Sequence, residues 1–256
     1  MKAHSGGEPL SDERETGGSG GEWRVAVNRQ IFRAMLFAVS GATVALARAG
    51  VPKSIVWSFA KLQARNVCRM LGVRVTIHGR ELVEEGGPYI FTPNHQAHID
   101  IAALIGHLPG QNRFASKKEL FDEPMLGSVM RTLGMLPVDR DDPMKSIDVL
   151  NRAVAQGHSI VIFPEGTRSH DGNLLPFKKG AFVAAIEMGR PVVPVIVKGS
   201  QRVMPKGGYL SIRPGDIEIV VKPPISTSGL DYEDRDRLRE AVHAIIAEEF
   251  SRPMAA

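Results

Sequence analysis

The segment SIVIFPEGTRS, at residues 159–169, decides the fold class. After Ser159 come four apolar residues, three of them β-branched, which is typical of a buried strand. A polar turn follows at once, with a carboxylate at Glu165, a glycine at Gly166, a hydroxyl at Thr167 and a guanidinium at Arg168. Glycine lets the backbone approach a ligand closely, and a guanidinium binds phosphate through two parallel hydrogen bonds. The pattern indicates a phosphate-binding loop, and a strand-end turn with a surface salt bridge is the alternative.

Other β-branched runs share the composition of this strand and alternate with helical stretches. The strands are predicted at 73–77, 88–92, 159–163, 192–197 and 217–221. The helices are predicted at 98–108, 123–133, 143–156, 179–188 and 231–250. This alternation predicts a single α/β domain with a central mixed sheet flanked by helices. Ligands of open α/β sheets bind beyond the carboxyl ends of the strands, so polar loops at those ends are candidate sites.

A second polar cluster, PNHQAHID at residues 93–100, follows another predicted strand. If the helix begins near His98, the preceding turn folds Asp100 back toward the ring of His95. The carboxylate would then orient the imidazole and leave its other nitrogen as a general base. A His and an Asp at this spacing often occur together by chance. A metal site of His95, His98 and Asp100 is a second possibility, although no second ligand cluster accompanies it.

The stretch 23–80 contains ten basic residues and no acidic one, a composition that favours an anionic surface. Its apolar run at 34–47 is shorter than the roughly 20 residues that a bilayer crossing needs. The following segment, 52–71, reads as a helix with an apolar side and with Lys61 and Arg65 one turn apart on the other side. We therefore expect a basic amphipathic region that contacts a membrane. An ordinary surface helix packed on its own domain is the alternative.

The ends of the chain and its cysteine content complete the domain organisation. Residues 1–22 contain five acidic and two basic side chains together with the run GGSGG, so we expect a disordered tail. The predicted divisions are this tail, a membrane-association region at 23–71 and a catalytic α/β domain at 72–256. The first 30 residues lack the apolar run of a signal peptide. A single cysteine, Cys68, excludes an internal disulfide and a cysteine-based zinc site.

Together these motifs resemble the glycerophospholipid acyltransferase family, and most closely its 1-acylglycerol-3-phosphate acyltransferase branch. NHQAHID resembles the His-x4-Asp block of that family, and FPEGTRS resembles its third block. GMLPVDR at 134–140 is similar to the second block and VVPVIV at 192–197 to the fourth. The resemblance covers roughly residues 60–225. One departure is Ala97, where many members carry serine, so the detailed geometry of that loop is not carried over.

The resemblance implies a role for each matching residue. His95 would be the general base that deprotonates the acceptor hydroxyl, and Asp100 would orient it. The implied acceptor-binding residues, with Arg168 on the phosphate, are Lys117, Arg140, Glu165, Gly166, Thr167 and Arg168.

The resemblance also implies the reaction and its participants. A fatty acyl group would pass from acyl-CoA or acyl carrier protein to the 2-hydroxyl of 1-acylglycerol 3-phosphate, giving phosphatidate. A thioester is already activated, so we expect direct attack, no covalent acyl-enzyme, no cofactor and no metal. The expected partners are the lysophospholipid, the acyl donor and a membrane surface on the cytoplasmic side, with no nucleic acid. The alternatives are another acceptor such as glycerol 3-phosphate or another lysophospholipid, a non-catalytic lipid-binding module, and a metal-dependent hydrolase.

Overall fold

The computed structural model of the chain describes residues 19–85, 87–139, 141–205 and 212–255. The strands in these ranges are β1 Val73–His78, β2 Ile90–Pro93, β3 Asn112–Lys117, β4 Leu136–Val138, β5 Ser159–Val161, β6 Val192–Lys198 and β7 Gly215–Val221. The α-helices are α1 Ser19–Arg48, α2 Lys53–Met70, α3 Ile99–His107, α4 Pro124–Thr132, α5 Pro143–Ala155, α6 Gly180–Glu187, α7 Ser200–Val203 and α8 Arg235–Ser251. Short 3₁₀ turns lie at Arg80–Leu82, Lys118–Phe121 and Tyr232–Asp234.

The strands form one sheet in the order β1-β7-β6-β2-β5-β3-β4. Neighbouring strands are parallel except β6 and β7, which run antiparallel. The prediction of an α/β fold with a mixed sheet is therefore confirmed. Because β2, β3, β4, β5 and β6 all point the same way, their carboxyl ends meet at one edge of the sheet. Both predicted ligand loops leave from that edge.

Helices cover both faces of the sheet, which explains the continuous apolar runs of its central strands. In β2, Phe91 packs into the core on the side of α2, α3 and α4, whereas Ile90 packs against α5, α6 and α8. In β6, Val193 packs on the side of α2, α3 and α4, and Val192 packs on the side of α5, α6 and α8. Burial on both faces removes the polar alternation of a half-exposed strand and makes these segments easy to recognise in the sequence.

Strands β3 and β4 were not predicted. β4 is only three residues long, and β3 contains Arg113, which is 5% exposed. The Arg113 guanidinium donates to the carbonyl of Leu133 at 2.7 Å and lies 5.0 Å from the ring centre of Trp57. Burial lowers the pKa of Arg113 to about 10. A buried arginine with carbonyl and aromatic partners gives β3 the composition of a surface loop.

The N-terminal helix α1 packs on α2 and α4. It begins at Ser19, so residues 19–22, which composition assigned to the tail, are helical. Helix propagation adds one hydrogen bond for each further residue, so a helix extends readily beyond its apolar segment. Residues 1–18 of the predicted tail lie outside the described ranges. Among the described residues, no helix combines the length and the apolar character that a bilayer crossing requires.

Two of the three basic residues that recur along α2, Lys61 and Arg65, contact the protein, whereas the third, Arg69, is exposed. Lys61 donates to the carbonyls of Leu108 and Gly110, at 2.7 and 3.1 Å, and Arg65 donates to Gly106 at 2.6 Å. These carbonyls lie at the C-terminal end of α3, where the helix dipole attracts cations. Burial of the ammonium and the nearby Arg65 charge lower the pKa of Lys61. The apolar residues that α2 exposes are Ile55, Leu62 and Met70.

Candidate active site

The turn between β2 and α3 brings His95 and Asp100 together. The helix begins at Ile99, close to the predicted start, so Asp100 lies in its first turn and points back toward the loop. His95 Nδ1 lies 2.9 Å from Asp100 Oδ2. The same oxygen accepts the backbone N–H groups of Gln96 and Ala97, each at 2.8 Å. These contacts fix the carboxylate in one orientation and direct Nδ1 toward it.

The departure at Ala97 leaves this pair intact. Ala97 is fully buried, and its contact with Asp100 comes from its backbone N–H. A side-chain hydroxyl is therefore not needed to hold the carboxylate.

The imidazole of His95 has a second neighbour, Phe163, which the sequence placed at the end of a strand and at the start of FPEGTRS without indicating a role for it. The two rings are stacked, with their centres 4.0 Å apart and 22° between their planes. The His95 side chain is 12% exposed, and the Asp100 side chain is not exposed. No described residue forms a hydrogen bond to His95 Nε2. Nε2 is the ring nitrogen that is not directed at Asp100.

The two ligand loops are joined by hydrogen bonds at Glu165, Ser169 and His95. Glu165 Oε1 accepts the backbone N–H of His95 at 2.6 Å, and Oε2 accepts that of Leu175 at 3.0 Å. The N–H of Ser169 donates to the carbonyl of His95 at 3.0 Å. Glu165 is 2% exposed. Burial raises the pKa of Glu165 to about 7, although its two N–H donors act in the opposite direction. The charge of Asp100 raises it further.

The remaining residues of the FPEGTRS turn lie nearer the surface. Gly166 has a φ of 69°, and a Cβ there would lie 3.1 Å from Cδ and Cε of Lys178. Thr167 is exposed and Arg168 is half-buried. Partial burial and then the positive charge of Arg168 lower the pKa of His98 to about 4. Arg168 lies between Glu165 and Ser169, the two residues that are hydrogen-bonded to the backbone of His95.

The predicted basic residues of β3 and β4 have different surroundings. Lys117 ends β3 at the same edge of the sheet and is half-exposed, with a 3.4 Å ion pair to the exposed Glu119. Lys118 instead donates to Asp139 at 2.8 Å, which raises the pKa of Lys118 and lowers that of Asp139. Lys118 is thus engaged by a carboxylate, and ligand binding by Lys117 stays a prediction. Arg140 lies outside the described residues.

A metal centre and a cysteine nucleophile are the two alternatives to a histidine base. Within the described ranges, no group of three or more His, Cys, Asp and Glu side chains is arranged to hold a metal ion. Cys68 is buried in α2, and burial raises the pKa of its thiol to about 11. A neutral buried thiol is a poor nucleophile.

The region from β1 to β6 matches a known protein family. Residues 74–198 match the family model described as Acyltransferase, so the chain carries a domain of the acyltransferase family. This assignment confirms the family expected from the sequence motifs.

The relatives of the chain carry a more specific name. It is 37% identical over 179 residues to the chloroplastic 1-acyl-sn-glycerol-3-phosphate acyltransferase BAT2 of Brassica napus, which covers 67% of this chain and 52% of that protein. It is 30% identical over 177 residues to 1-acyl-sn-glycerol-3-phosphate acyltransferase alpha of Mus musculus, covering 68% and 62%. The chain thus spans about half to three fifths of the length of these relatives.

The fold is similar to that of a solved acyltransferase. The crystal structure of the 1-acyl-sn-glycerophosphate acyltransferase PlsC from Thermotoga maritima superposes with a TM-score of 0.79. The match covers 91% of this chain and 99% of that one, at 23% sequence identity. At this identity the similarity concerns the fold.

Proposed function

We propose that the protein transfers a fatty acyl group to the 2-hydroxyl of 1-acylglycerol 3-phosphate, giving phosphatidate, with His95 as general base. The observation that carries the proposal is the pairing of His95 with Asp100 on a loop that is hydrogen-bonded to the FPEGTRS loop. One loop supplies a base and the other supplies a guanidinium. The names of the relatives support a glycerolipid acyltransferase activity.

The proposed reaction needs only one proton acceptor. Nε2 of His95 removes the proton of the acceptor hydroxyl while its oxygen attacks the thioester carbonyl. Asp100 stabilises the imidazolium that forms. The tetrahedral intermediate then releases the thiolate, which takes the proton from His95, so the base is restored and an ester replaces the thioester. No acyl group is attached to the protein at any stage.

The phosphate of the acceptor would bind to the basic residues at the same edge of the sheet. Arg168 supplies a planar guanidinium, Lys117 a half-exposed ammonium and Thr167 an exposed hydroxyl. By resemblance, Arg140 would join them. We further propose acyl-CoA or acyl carrier protein as the soluble donor, without a cofactor or a resident metal.

Both participating lipids are amphipathic, which favours an enzyme at a membrane surface. We propose that α1 and α2 contact the cytoplasmic face of a membrane through exposed apolar residues. Ile55, Leu62 and Met70 follow one side of α2, and Phe37 is 55% exposed on α1. Because Lys61 and Arg65 are bound to carbonyls of the protein, the contact relies more on apolar side chains than the sequence suggested.

The test is phosphatidate synthesis by the full chain with vesicles, lysophosphatidate and either donor. His95→Ala should lower kcat by roughly 10²–10⁴-fold, since it removes the general base. Arg168→Ala should raise the KM for lysophosphatidate by roughly 10–150-fold, since it removes a charged hydrogen bond. His78→Ala on β1 and Arg152→Ala on α5 are exposed controls and should behave like the wild type.

The same assay separates the alternatives. Activity with glycerol 3-phosphate or another lysophospholipid, but not with lysophosphatidate, would assign a different acceptor. Lipid binding without turnover under both donors would indicate a binding module and would refute the proposed activity.

A further inference from the structure

Glu165 faces the protein backbone at both oxygens of its carboxylate. One oxygen accepts the N–H of His95 and the other that of Leu175, and the residue is 2% exposed. A carboxylate that binds an acceptor should present at least one oxygen to the substrate. Glu165 instead connects two segments of its own chain.

The contacts around Glu165 hold the residue that carries the base. The N–H of His95 is bound by Glu165, and its carbonyl is bound by the N–H of Ser169. The ring of His95 stacks on Phe163. Three of the contacts that place His95 therefore come from the segment 163–169, and Asp100 supplies only the fourth.

We propose that Glu165 is a positioning residue whose ionised carboxylate fixes the backbone of His95 against the loop that carries Arg168. This inference rests on the proposed function of His95 and assigns Glu165 a different role from the acceptor binding that the family resemblance implies. The carboxylate is suited to this role because it has acceptors on both sides and no proton of its own. An amide can accept on one side only, and the hydroxyl oxygen of a protonated acid accepts more weakly than a carboxylate oxygen.

The electrostatic surroundings make the carboxylate sensitive to pH. The groups that face Glu165 are the N–H groups of His95 and Leu175, which favour the charge, and the carboxylate of Asp100, which opposes it. With a pKa raised to about 7 by burial, Glu165 exchanges its proton near neutral pH. Protonation would weaken its hydrogen bonds to the two N–H groups, because they would lose the charge of the acceptor.

The test compares Glu165→Gln with the wild type in the vesicle assay. A displaced catalytic group can cost up to about 10²-fold, so we expect kcat to fall roughly 10–100-fold. The KM for lysophosphatidate should stay within about twofold, whereas Arg168→Ala raises it. A raised KM with an unchanged kcat would overturn the positioning role. An inactive wild type would instead refute the proposed function.

A measurement on the substrate-free wild type does not depend on a variant that folds. The amide proton of His95, in a 2.6 Å bond to a carboxylate, should resonate far downfield in the NMR spectrum. It should move upfield as the pH falls through about 7, where Glu165 takes up its proton. An amide signal that is constant between pH 5 and pH 9 would overturn the proposal. If Glu165→Gln does not fold, Glu165→Asp, whose shorter side chain cannot span both N–H groups, replaces it in the kinetic test.

Discussion

The replacement of Asp100 by asparagine separates the charge of the proposed dyad from its geometry. Oδ2 of Asp100 accepts two backbone N–H groups in addition to contacting His95, so an oxygen is required at that position. The amide oxygen of the asparagine would therefore replace Oδ2, and its NH₂ group would replace Oδ1. Oδ1 is buried and has no hydrogen-bond partner among the described residues. The ring of His95 would still face an oxygen, and its tautomer would be kept.

The loss of activity then follows from the charge alone. A hydrogen bond to a charged group contributes about 1.5–3 kcal/mol, which corresponds to a fall in kcat of roughly 10–150-fold. In Ser-His-Asp triads, the equivalent change reverses the tautomer and costs about 10⁴-fold. Initial rates of phosphatidate formation at saturating acceptor measure the difference, with the exposed Asp148→Asn on α5 as control. A loss near 10⁴-fold, or no loss, would refute the argument from the two backbone donors.

Three further predictions concern stability and membrane contact. The pKa of Glu165 is raised to about 7 from an ordinary 4.5. The free energy of unfolding of the wild type should therefore fall as the pH rises from 4.5 to 7, by on the order of 3 kcal/mol relative to Glu165→Gln. A constant difference in urea unfolding across that range would contradict it. Leu62→Asp should weaken the binding of the protein to anionic vesicles, measured by sedimentation, by roughly tenfold. Tyr232→Asp, at a similarly exposed position away from α2, should leave that binding unchanged. Equal losses of binding in the two variants would argue against membrane contact through α2. Bonds from two lysines lower the pKa of Glu249 to about 2, so Glu249→Gln should cost about 1–2 kcal/mol at pH 7, after allowance for solvent screening, and little at pH 2. The exposed Glu248→Gln is its control, and a loss that persists at pH 2 would contradict the assignment.

The parts of the fold that sequence predicted are those where composition and burial agree. β5 and β6 are mainly apolar, with Ser159 and Lys198 at their ends, because helices cover both faces of the sheet, and their positions were recognised. β3 was missed because it contains a buried arginine. The guanidinium of Arg113 contacts a carbonyl and an aromatic ring that are distant in sequence, so the local sequence does not indicate that it is buried. β4 has only three residues, too few to show the alternation of apolar and polar side chains that marks a strand. Hydrophobic patterning thus located the centre of the sheet and missed one of its edges.

The orientation of α2 shows a second limit. The spacing of Lys61 and Arg65 correctly indicates one helical face, but the pattern alone does not say what that face contacts. The carbonyls at the C-terminal end of α3 bind both side chains, whereas Arg69, one turn further along the helix, is exposed. Which partner a charged face finds depends on where neighbouring helices end, and that is a property of the tertiary structure.

The candidate site was predictable where its chemistry is local. His95 and Asp100 meet because a helix begins at Ile99, and the sequence indicated both the turn and the helix. Glu165 was recognised as part of a functional motif, but its hydrogen-bond partners were not. The donors are backbone N–H groups of His95 and Leu175, which every residue except proline offers, so no residue type at those positions signals the contact.

The link between the two loops has a consequence for the choice of acceptor. His95 would act on the hydroxyl, and Arg168 would hold the phosphate, while the segment 163–169 contacts both the backbone and the ring of His95. With these proposed roles, the distance between base and phosphate binder would be set by the protein rather than by the substrate. Only an acceptor whose hydroxyl and phosphate are separated by that distance can occupy both positions at once. A rigid connection through Glu165 would thus select the position of the hydroxyl as well as orient the base.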